Sequence, residues 1–449
     1  MILENILCGT RLDGIAGIGT CAIRSPFLTQ KALVRNATIR MVALALEFVF
    51  ACKLRAEERV EYRFEDYTED RNRMHIQTHG LYVEKDLVPQ ITARGQFMYD
   101  SISGASPSGG APKLGSDQVP LNAGSIQDIR RALSLEVAAR YLKNQTTTPQ
   151  ISYSVESDYE SQGLALNHTF EVNEKNTAIT LGVARNFDRV KGVWQKEWAN
   201  KDTWDGLLGF NQILDSNTHV TANLTLGMAS GYLNDPYKGV NFYFPYPGLA
   251  PSRYPTIAQL AERRPDQRFK QVGYLGLSHY FPRFSASAET SYRLHHDDWG
   301  IWANTVELQW HQKIGSHLTI SPLLRWHHQS AANFYAPRFL GSSRDPAGTR
   351  VAFDNGHFVD FEGGANYPTD TTGYEIVTVP PHAAHYSADY RLSHLEAITY
   401  GIGAHWRLND RFSIDLGYQR YEMNRLDRIT PKSSYPKAHV VTLGGGLWF

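Results

Sequence analysis

The chain has 449 residues, and its 45 Lys and Arg balance its 45 Asp and Glu, so it carries no formal net charge. A balanced charge argues against a nucleic-acid partner, because such a partner usually requires a basic face. The mean hydropathy is −0.38, and no apolar run reaches the roughly 18 residues of a transmembrane helix, which excludes helical membrane proteins. The three cysteines, Cys8, Cys21 and Cys52, leave residues 53–449 without thiols for a disulfide framework or a thiolate metal site.

The segment 31–56 has the features of an export signal. Basic residues lead into the apolar run 41–51, and Ala56 follows as a small-residue cleavage site. We therefore predict that residues 1–56 form an export-signal region. Because residues 1–30 precede the signal, we expect the true start to lie nearer Met41. A lipoprotein signal ending at Cys52 is the alternative, although Phe50 fits that motif poorly.

From residue 57 onward, apolar and polar side chains alternate in segment after segment. Val60, Tyr62 and Phe64, for example, alternate with charged residues. Because successive side chains of a β-strand point to opposite faces, this period of two predicts strands with one apolar and one polar face. The clearest later examples are 284–295, 302–311, 318–327, 398–408 and 412–421.

The connections between these segments alternate between short and long. Short turns are expected at 88–89, 173–176, 215–217, 282–283, 313–316 and 409–410. Long links are expected at 103–125, 190–203, 231–268, 329–392 and 422–435. Bacterial single-chain barrels have an even number of strands, short periplasmic turns and longer extracellular loops. The pattern therefore predicts an all-β fold, a single antiparallel transmembrane β-barrel of about 16 strands that occupies residues 57–449.

The final stretch, 436–449, indicates the outer membrane of a Gram-negative bacterium. Val441, Leu443 and Leu447 alternate with small or polar residues, and the chain ends on the aromatic pair Trp448-Phe449. This ending resembles the C-terminal signature of outer-membrane barrels, whose last aromatic residue is recognised by the barrel insertion machinery. The resemblance implies two partners, that machinery and the outer-membrane lipid.

The strand phases place charged residues of both signs on the polar, lumen-facing side of the predicted barrel. Interleaved charges either close a lumen with salt bridges or give a pore a transverse field, and the sequence leaves that choice open. The candidate ligand-binding or lumen residues are Arg94, Arg130, Glu136, Arg140, Glu289, Arg293, Glu307, Arg325 and Arg407.

Three residues near the expected outer rim form a candidate metal site. If 297–300 is the outer link and 314–315 the inner turn, then His295, Ala303 and His327 fall at one height on three successive strands. Asp298 would lie above them. Imidazole and carboxylate ligands together suit Zn²⁺ or Cu²⁺. We therefore predict His295, His327 and Asp298 as candidate metal ligands, with polar filling of the lumen as the alternative, and we predict no cofactor.

This sequence is a poor match to the catalytic residue arrangements of known classes of outer-membrane enzyme. A phospholipase of this kind needs a His and a Ser two residues apart on one strand face, and neither 167–169 nor 278–279 has that spacing. The acids 297–298 beside the histidines 295–296 would suit an omptin-like protease, but such residues also line wet lumens and rims. We therefore predict no catalytic residue and no enzymatic activity.

Four stretches of the chain resemble a single bacterial family. They are Leu-Asn-Asp-Pro-Tyr-Lys at 233–238, and the segments 291–301, 329–335 and 387–393. They are similar to the family called domain of unknown function 3570, whose members look like exported outer-membrane barrels, and the similarity runs from Arg59 to Phe449. The resemblance implies an exported barrel with periplasmic redox proteins as partners, and it does not assign an activity. The pair His327-His328 departs from the residues expected there.

The sequence therefore predicts a channel or binding pore for a small polar solute or a metal-related ligand. The alternative is a membrane anchor that holds periplasmic redox partners. An outer-membrane hydrolase is a third hypothesis.

Overall fold

The computed structural model describes residues 58–109, 117–121, 126–195, 197–243, 256–341, 349–354, 357–359, 375–379 and 383–449. The predicted export-signal region, residues 1–56, lies outside these ranges. Within them, no helix has the length and apolar character needed to cross a membrane.

The described chain is built almost entirely of β-strands, joined by turns and a few short 3-10 segments. The first strands are β1 (Arg59–Glu69), β2 (Met74–Val88), β3 (Ile91–Gly104), β4 (Ile126–Leu142), β5 (Gln145–Val155), β6 (Tyr159–Val172), β7 (Thr177–Val190), β8 (Ala199–Asp215) and β9 (Thr218–Gly231). They are followed by β10 (Gly239–Tyr243), β11 (Thr256–Ala261), β12 (Gln267–Phe281), β13 (Ala286–Asp297), β14 (Trp302–Ile314) and β15 (Leu318–Gln329). The last are β16 (Phe339–Leu340), β17 (Thr349–Asp354), β18 (His357–Val359), β19 (Glu375–Val379), β20 (Leu395–Arg407), β21 (Phe412–Arg425) and β22 (Lys437–Trp448). The 3-10 segments are Asp70–Asn72, Pro282–Phe284, Tyr390–Leu392 and Lys432–Ser434.

A closed barrel is formed by β1–β9, β12–β15 and β20–β22, each strand pairing with the next. The barrel closes where β22 pairs with β1, with Arg59 opposite Trp448 and Glu69 opposite Ala438. All the pairs around the barrel are antiparallel. The predicted all-β, antiparallel barrel of 16 strands is confirmed.

The two ends of the barrel differ in their connections. One end, called the short-turn end, carries links of four residues or fewer: 89–90, 143–144, 173–176, 216–217, 282–285, 315–317 and 408–411. The opposite, long-loop end carries 70–73, 105–125, 156–158, 191–198, 232–266, 298–301, 330–394 and 426–436. Every predicted long link is therefore found at one end, as the alternation of links indicated.

The two faces of the barrel wall differ in chemistry. On β14, Val306 and Leu308 are 40% and 46% exposed, whereas Glu307 and Gln309, which alternate with them, are less exposed. The same alternation recurs on β20, where Tyr400 is 49% exposed. Since successive side chains point to opposite faces, the exposed apolar residues form the outer, lipid-facing surface and the polar residues between them line the lumen.

Six short strands in the links of the long-loop end form two small sheets that are separate from the barrel sheet. In one, β10 pairs with β11 and β16, and in the other, β17 pairs with β18 and β19. Val240 and Phe242 of β10 are completely buried, and the ring of Phe242 meets that of Tyr386 edge-on at 4.9 Å between centroids. This apolar packing gives the long loops a core of their own.

Candidate functional site: the lumen and its loop cap

A ladder of alternating charges crosses four strands on the lumen face. The register aligns Arg59, Glu84, Arg94 and Glu136 on β1 to β4. Arg94 is the central cation, with its Nε 2.5 Å from Glu84 Oε2 and its Nη1 2.6 Å from Glu136 Oε1. Arg59 Nε lies 3.3 Å from the other oxygen of Glu84. Two of the predicted lumen residues, Arg94 and Glu136, thus form a direct ion pair.

The other predicted lumen residues lie on the same face, further round the barrel or nearer its ends. Glu307 is directly opposite Arg325, with 4.0 Å between Oε2 and Nε, and Glu289 approaches His311 at 3.7 Å. The Arg293 guanidinium lies over the ring of Tyr274. The remaining three are Arg130 on β4, which lies between Asp100 and Glu156, Arg140 within the register shift between Ala139 and Leu142 of β4, and Arg407 near the short-turn end.

The predicted metal ligands are not brought together, because the predicted register was wrong by two residues. Ala303 pairs with His295 on one side, as expected, but on the other it pairs with Gln329, while His327 pairs with Thr305. His327 Nδ1 is 2.9 Å from Thr305 Oγ1, and His295 Nε2 is 3.3 Å from Asp297 rather than Asp298. His295 and His327 therefore lie at different heights and have separate partners.

Loops from the long-loop end fold across the mouth of the barrel. We call residues 232–243, 256–266, 330–341 and 383–394 the loop cap. Tyr237 of the cap is 4% exposed and packs on Met74 and Ile102 from β2 and β3. On another side of the barrel, Leu392 packs with Trp299 of the β13–β14 link. The cap therefore rests against widely separated parts of the wall.

Further contacts continue around the rim. The cap residue Gly239 donates its N–H to Ser108 O at 2.9 Å, and Val193 of the β7–β8 link donates to Pro236 O at 3.1 Å. Tyr390 meets Tyr435 of the last long loop edge-on at 5.6 Å between ring centroids. Because these contacts come from the β3–β4, β7–β8 and β21–β22 links, the cap spans the mouth instead of lying along one side.

The centre of the cap is a buried network of three acids and three bases. Each of its acids and Lys238 is at most 6% exposed, and the arginine side chains are only slightly more exposed. The six residues are Asp235, Lys238, Glu262, Arg264, Asp389 and Arg391. Equal numbers of each sign satisfy the requirement that buried charges be paired.

Asp389 links the two arginines of this network. Its Oδ2 is 2.8 Å from Arg264 Nη2, and its two carboxylate oxygens accept from Arg391 Nε at 2.9 and 3.0 Å. Burial alone would raise the pKa of Asp389, but Arg391, Arg264 and Lys238 together hold that pKa well below its usual range. The Asp389 carboxylate is therefore ionised in the cap. Arg391 also reaches Asp235 Oδ2, which ties the segment around 389 to the segment around 235.

A second acidic feature lies at the rim beside the cap. The carboxylates of Asp128, Glu156 and Asp158 converge, with one oxygen from each within 4.8 Å of the others. Burial and the neighbouring acids raise the pKa of Asp158 to about 8, and burial, opposed by Arg130, raises that of Glu156 to about 7. These groups repel each other, and in the part of the chain that the structure describes Arg130 is the cation that opposes this repulsion.

A cavity of about 410 Å³ lies between the cap and two neighbouring loops. Its walls include Lys238, Arg338 and Arg425, with Asp117 as the acid among them. Tyr335 and Tyr390 also line it. The cavity is large enough for a small polar molecule, and its side chains carry more positive than negative charge.

Local sequence patterns did not predict the loop cap, although many of its residues lie in stretches that resemble one family. The stretches 233–238 and 387–393 belong to it, as does 329–335 apart from Gln329, and 291–301 contains Trp299 and Ile301, against which the cap packs. Backbone bonds join them directly, from Ala332 N to Leu392 O and from Asn333 N to Trp299 O. The only sequence signal was that these four stretches are shared with one family, and that signal does not reveal their convergence in space.

The closed barrel with an apolar outside, a charged lumen and all long loops at one end defines a β-barrel of the bacterial outer-membrane type. The family model described as "Protein of unknown function (DUF3570)" matches residues 32–437, and the chain belongs to this family. The comparison with curated proteins gave no match.

The comparison with solved structures found several outer-membrane proteins at low identity. The siderophore receptor PirA from Acinetobacter baumannii is 11% identical with a TM-score of 0.40, over 83% of this chain and 54% of the receptor. This chain thus spans about half of that receptor's length. A bacterial polysaccharide outer membrane secretin is 8% identical with a TM-score of 0.42, over 88% of this chain and 100% of the secretin. The CymD monoaromatic hydrocarbon channel is 8% identical with a TM-score of 0.36, over 88% of this chain and 90% of the channel. At these identities the likeness concerns the fold alone.

Proposed function

We propose that this protein is a gated barrel in the outer membrane of a Gram-negative bacterium, which binds or passes a small polar solute. In this proposal the long-loop end faces the outside, as in other bacterial barrels. The observation that carries the proposal is the buried network of six charges in the cap above a charged lumen. The network supplies a closure, and the lumen beneath it supplies the polar path or binding surface.

The chemistry of the cap favours a reversible closure over a permanent plug. A buried set of ion pairs contributes less stability than a well-packed apolar core of the same volume, because each charge loses its hydration. When the cap opens, the same charges regain water, which offsets part of the cost of separating them. A six-charge core therefore suits a cap that moves more than it suits one that only strengthens the barrel.

The chemistry of the lumen points to the class of solute. Charges of both signs alternate across neighbouring strands, as in the Arg94 ladder, and the cavity at the cap is lined by basic and phenolic side chains. Such surfaces stabilise polar or zwitterionic molecules and anionic metal complexes, and they offer little to an apolar solute. We therefore include a metal-related ligand within the proposed class.

Solute flux into liposomes tests this proposal. Refolded protein should accelerate osmotic swelling in small zwitterionic amino acids more than in sugars of similar size, because charged groups line the path. Lumen variants Arg94→Gln and Arg325→Gln should change the order of the solutes, whereas Arg411→Gln at an exposed turn should leave it unchanged.

Swelling no faster than in protein-free liposomes, for the wild type and for a variant with a weakened cap, would contradict the passage of solutes. That outcome, combined with specific capture of periplasmic redox proteins, would favour the anchoring alternative.

A further inference from the structure

The rim cluster Asp128, Glu156 and Asp158 lies outside the six-charge network and has its own geometry. Asp128 is on β4, and Glu156 and Asp158 flank Ser157 in the β5–β6 link. Ser157 holds the link against the wall, because its Oγ donates to Asp128 Oδ2 at 2.8 Å. The three carboxylates are thus positioned by the fold, and one oxygen of each lies within 4.8 Å of the other two.

A fourth carboxylate lies beside this cluster. Asp100 of β3 is 6% exposed, and within the described residues its Oδ1 atom has no hydrogen-bond partner. Asp100 pairs with Arg130, and Ile102 pairs with Asp128, so the two acids are diagonal neighbours on the lumen face. Arg130 connects Asp100 with the cluster, since it lies 3.7 Å from Asp100 and 3.8 Å from Glu156.

The charges of this region do not balance. Among the described residues, four carboxylates face one guanidinium, and the distances from Arg130 exceed those of a direct hydrogen bond. Leaving several buried or half-buried carboxylates near each other without a cation is costly, so a bound cation is the simplest way to stabilise them. The buried Asp100 oxygen without a partner is a second, independent sign that a positively charged ligand belongs here.

We propose that Asp128, Glu156 and Asp158 bind a divalent cation of the calcium class at the long-loop end, with Asp100 in support. All of the ligand atoms are oxygens, which hard cations prefer over the nitrogen and sulfur ligands of zinc sites. Two oxygens bound to one Ca²⁺ at about 2.3–2.6 Å lie at most about 5 Å apart, and the observed oxygens meet that limit without rearrangement. The cation joins β4 to the β5–β6 link and cancels negative charge at the edge of the loop cap.

Calcium titration of the refolded full chain tests this site. After treatment with a chelator and gel filtration, isothermal titration with CaCl₂ in detergent should show one saturable site, and Ca²⁺ should raise the thermal unfolding temperature. In Asp128→Asn/Asp158→Asn the affinity should fall on the order of tenfold or more, because two of three charged ligands are lost. The matched control is Glu174→Gln/Asp266→Asn, which removes two exposed acids and should bind Ca²⁺ like the wild type.

A second variant keeps the test decisive if the amide variant folds poorly. Arg130→Gln removes the competing guanidinium and should tighten Ca²⁺ binding, an effect that a purely structural role of these acids does not predict. Heat-modifiable migration on gels shows whether each variant has folded. The proposal is overturned if the wild type gives no saturable signal at millimolar Ca²⁺, if Asp128→Asn/Asp158→Asn binds as tightly as the wild type, or if Zn²⁺ binds and Ca²⁺ does not.

Discussion

Asp389 is the residue on which the cohesion of the loop cap depends most. It is 1% exposed, it accepts from Arg264 and Arg391, and its backbone carbonyl closes the 3-10 turn by accepting from Leu392 N. One carboxylate therefore organises both the ionic centre and the local backbone of the cap. Removing one partner from a buried ion pair typically costs about 3–5 kcal/mol, because the other charge stays buried.

Acid should loosen the cap through this residue. The pKa of Asp389 is lowered in the folded protein, whereas an unfolded Asp has a pKa of about 3.9. A lowered folded-state pKa means that the stabilisation is fully present above about pH 4 and is lost as the pH falls through the folded-state value. Hydrogen exchange in 387–393, corrected for intrinsic rates, should show protection that is high at pH 5 and declines as the pH falls below 4. In Asp389→Asn the protection should be low throughout this range, and a decline as steep as that of the wild type would contradict the assignment.

An arginine should destabilise the barrel much more on the lipid-facing side of β14 than on its lumen-facing side. Leu308 is 46% exposed at mid-strand on the apolar face, and Gln309 faces the lumen opposite Glu289. Leu308→Arg should destabilise the barrel by about 2–4 kcal/mol, as expected for Arg near the bilayer midplane. Gln309→Arg gains Glu289 as a partner and should cost little. Refolding titrations in lipid vesicles measure both, and equal destabilisation would mean that the assignment of the faces is wrong.

At the scale of elements, the cap closely constrains the β13–β14 link. Gly300 has φ +89°, and a Cβ there would lie 2.4 Å from Asn333 Oδ1 of the cap. Gly300→Ala should therefore destabilise the protein by more than about 1 kcal/mol, since both the backbone conformation and the close approach favour glycine. Gly273→Ala on β12 is the control, because nothing lies within 4 Å of its added Cβ. Denaturant unfolding compares the two, and equal losses would remove the argument from backbone geometry.

The barrel strands were predictable from sequence because each carries its own local pattern. In β14, the alternation of Val306 and Leu308 with Glu307 and Gln309 reports the two faces without reference to any other strand. The cap lacks such a pattern, because its central contacts join residues such as Asp235 and Arg391 that are 156 positions apart. The predicted pairing of His327 was wrong for a related reason. The turn after β14 occupies 315–317, so Ile314 pairs with Leu318. The prediction assumed a shorter turn at 314–315, and this shifted every residue pair between β14 and β15 by two positions.

In the whole molecule, the loop cap with its ionic centre spans the mouth of the barrel, and the charged lumen lies beneath it. The cap contacts the wall near β2 and β3, at the β13–β14 link and at the last long loop. Because several links hold it at once, the closed form should be the resting state, and opening should require the ionic centre to separate. The solute, the rim cation and the acid response would then all act on the same closed-to-open equilibrium.

Single-channel recording in planar bilayers tests this account most directly. Arg391→Gln removes the cation shared by Asp235 and Asp389, and Arg428→Gln removes an exposed arginine at the same end of the barrel. The wild type and Arg428→Gln should be closed most of the time, with brief and small openings, whereas Arg391→Gln should show long openings of larger conductance. If Arg391→Gln is folded and shows the same open probability and conductance as the wild type, whether both conduct freely or neither conducts, the gated-barrel account is contradicted.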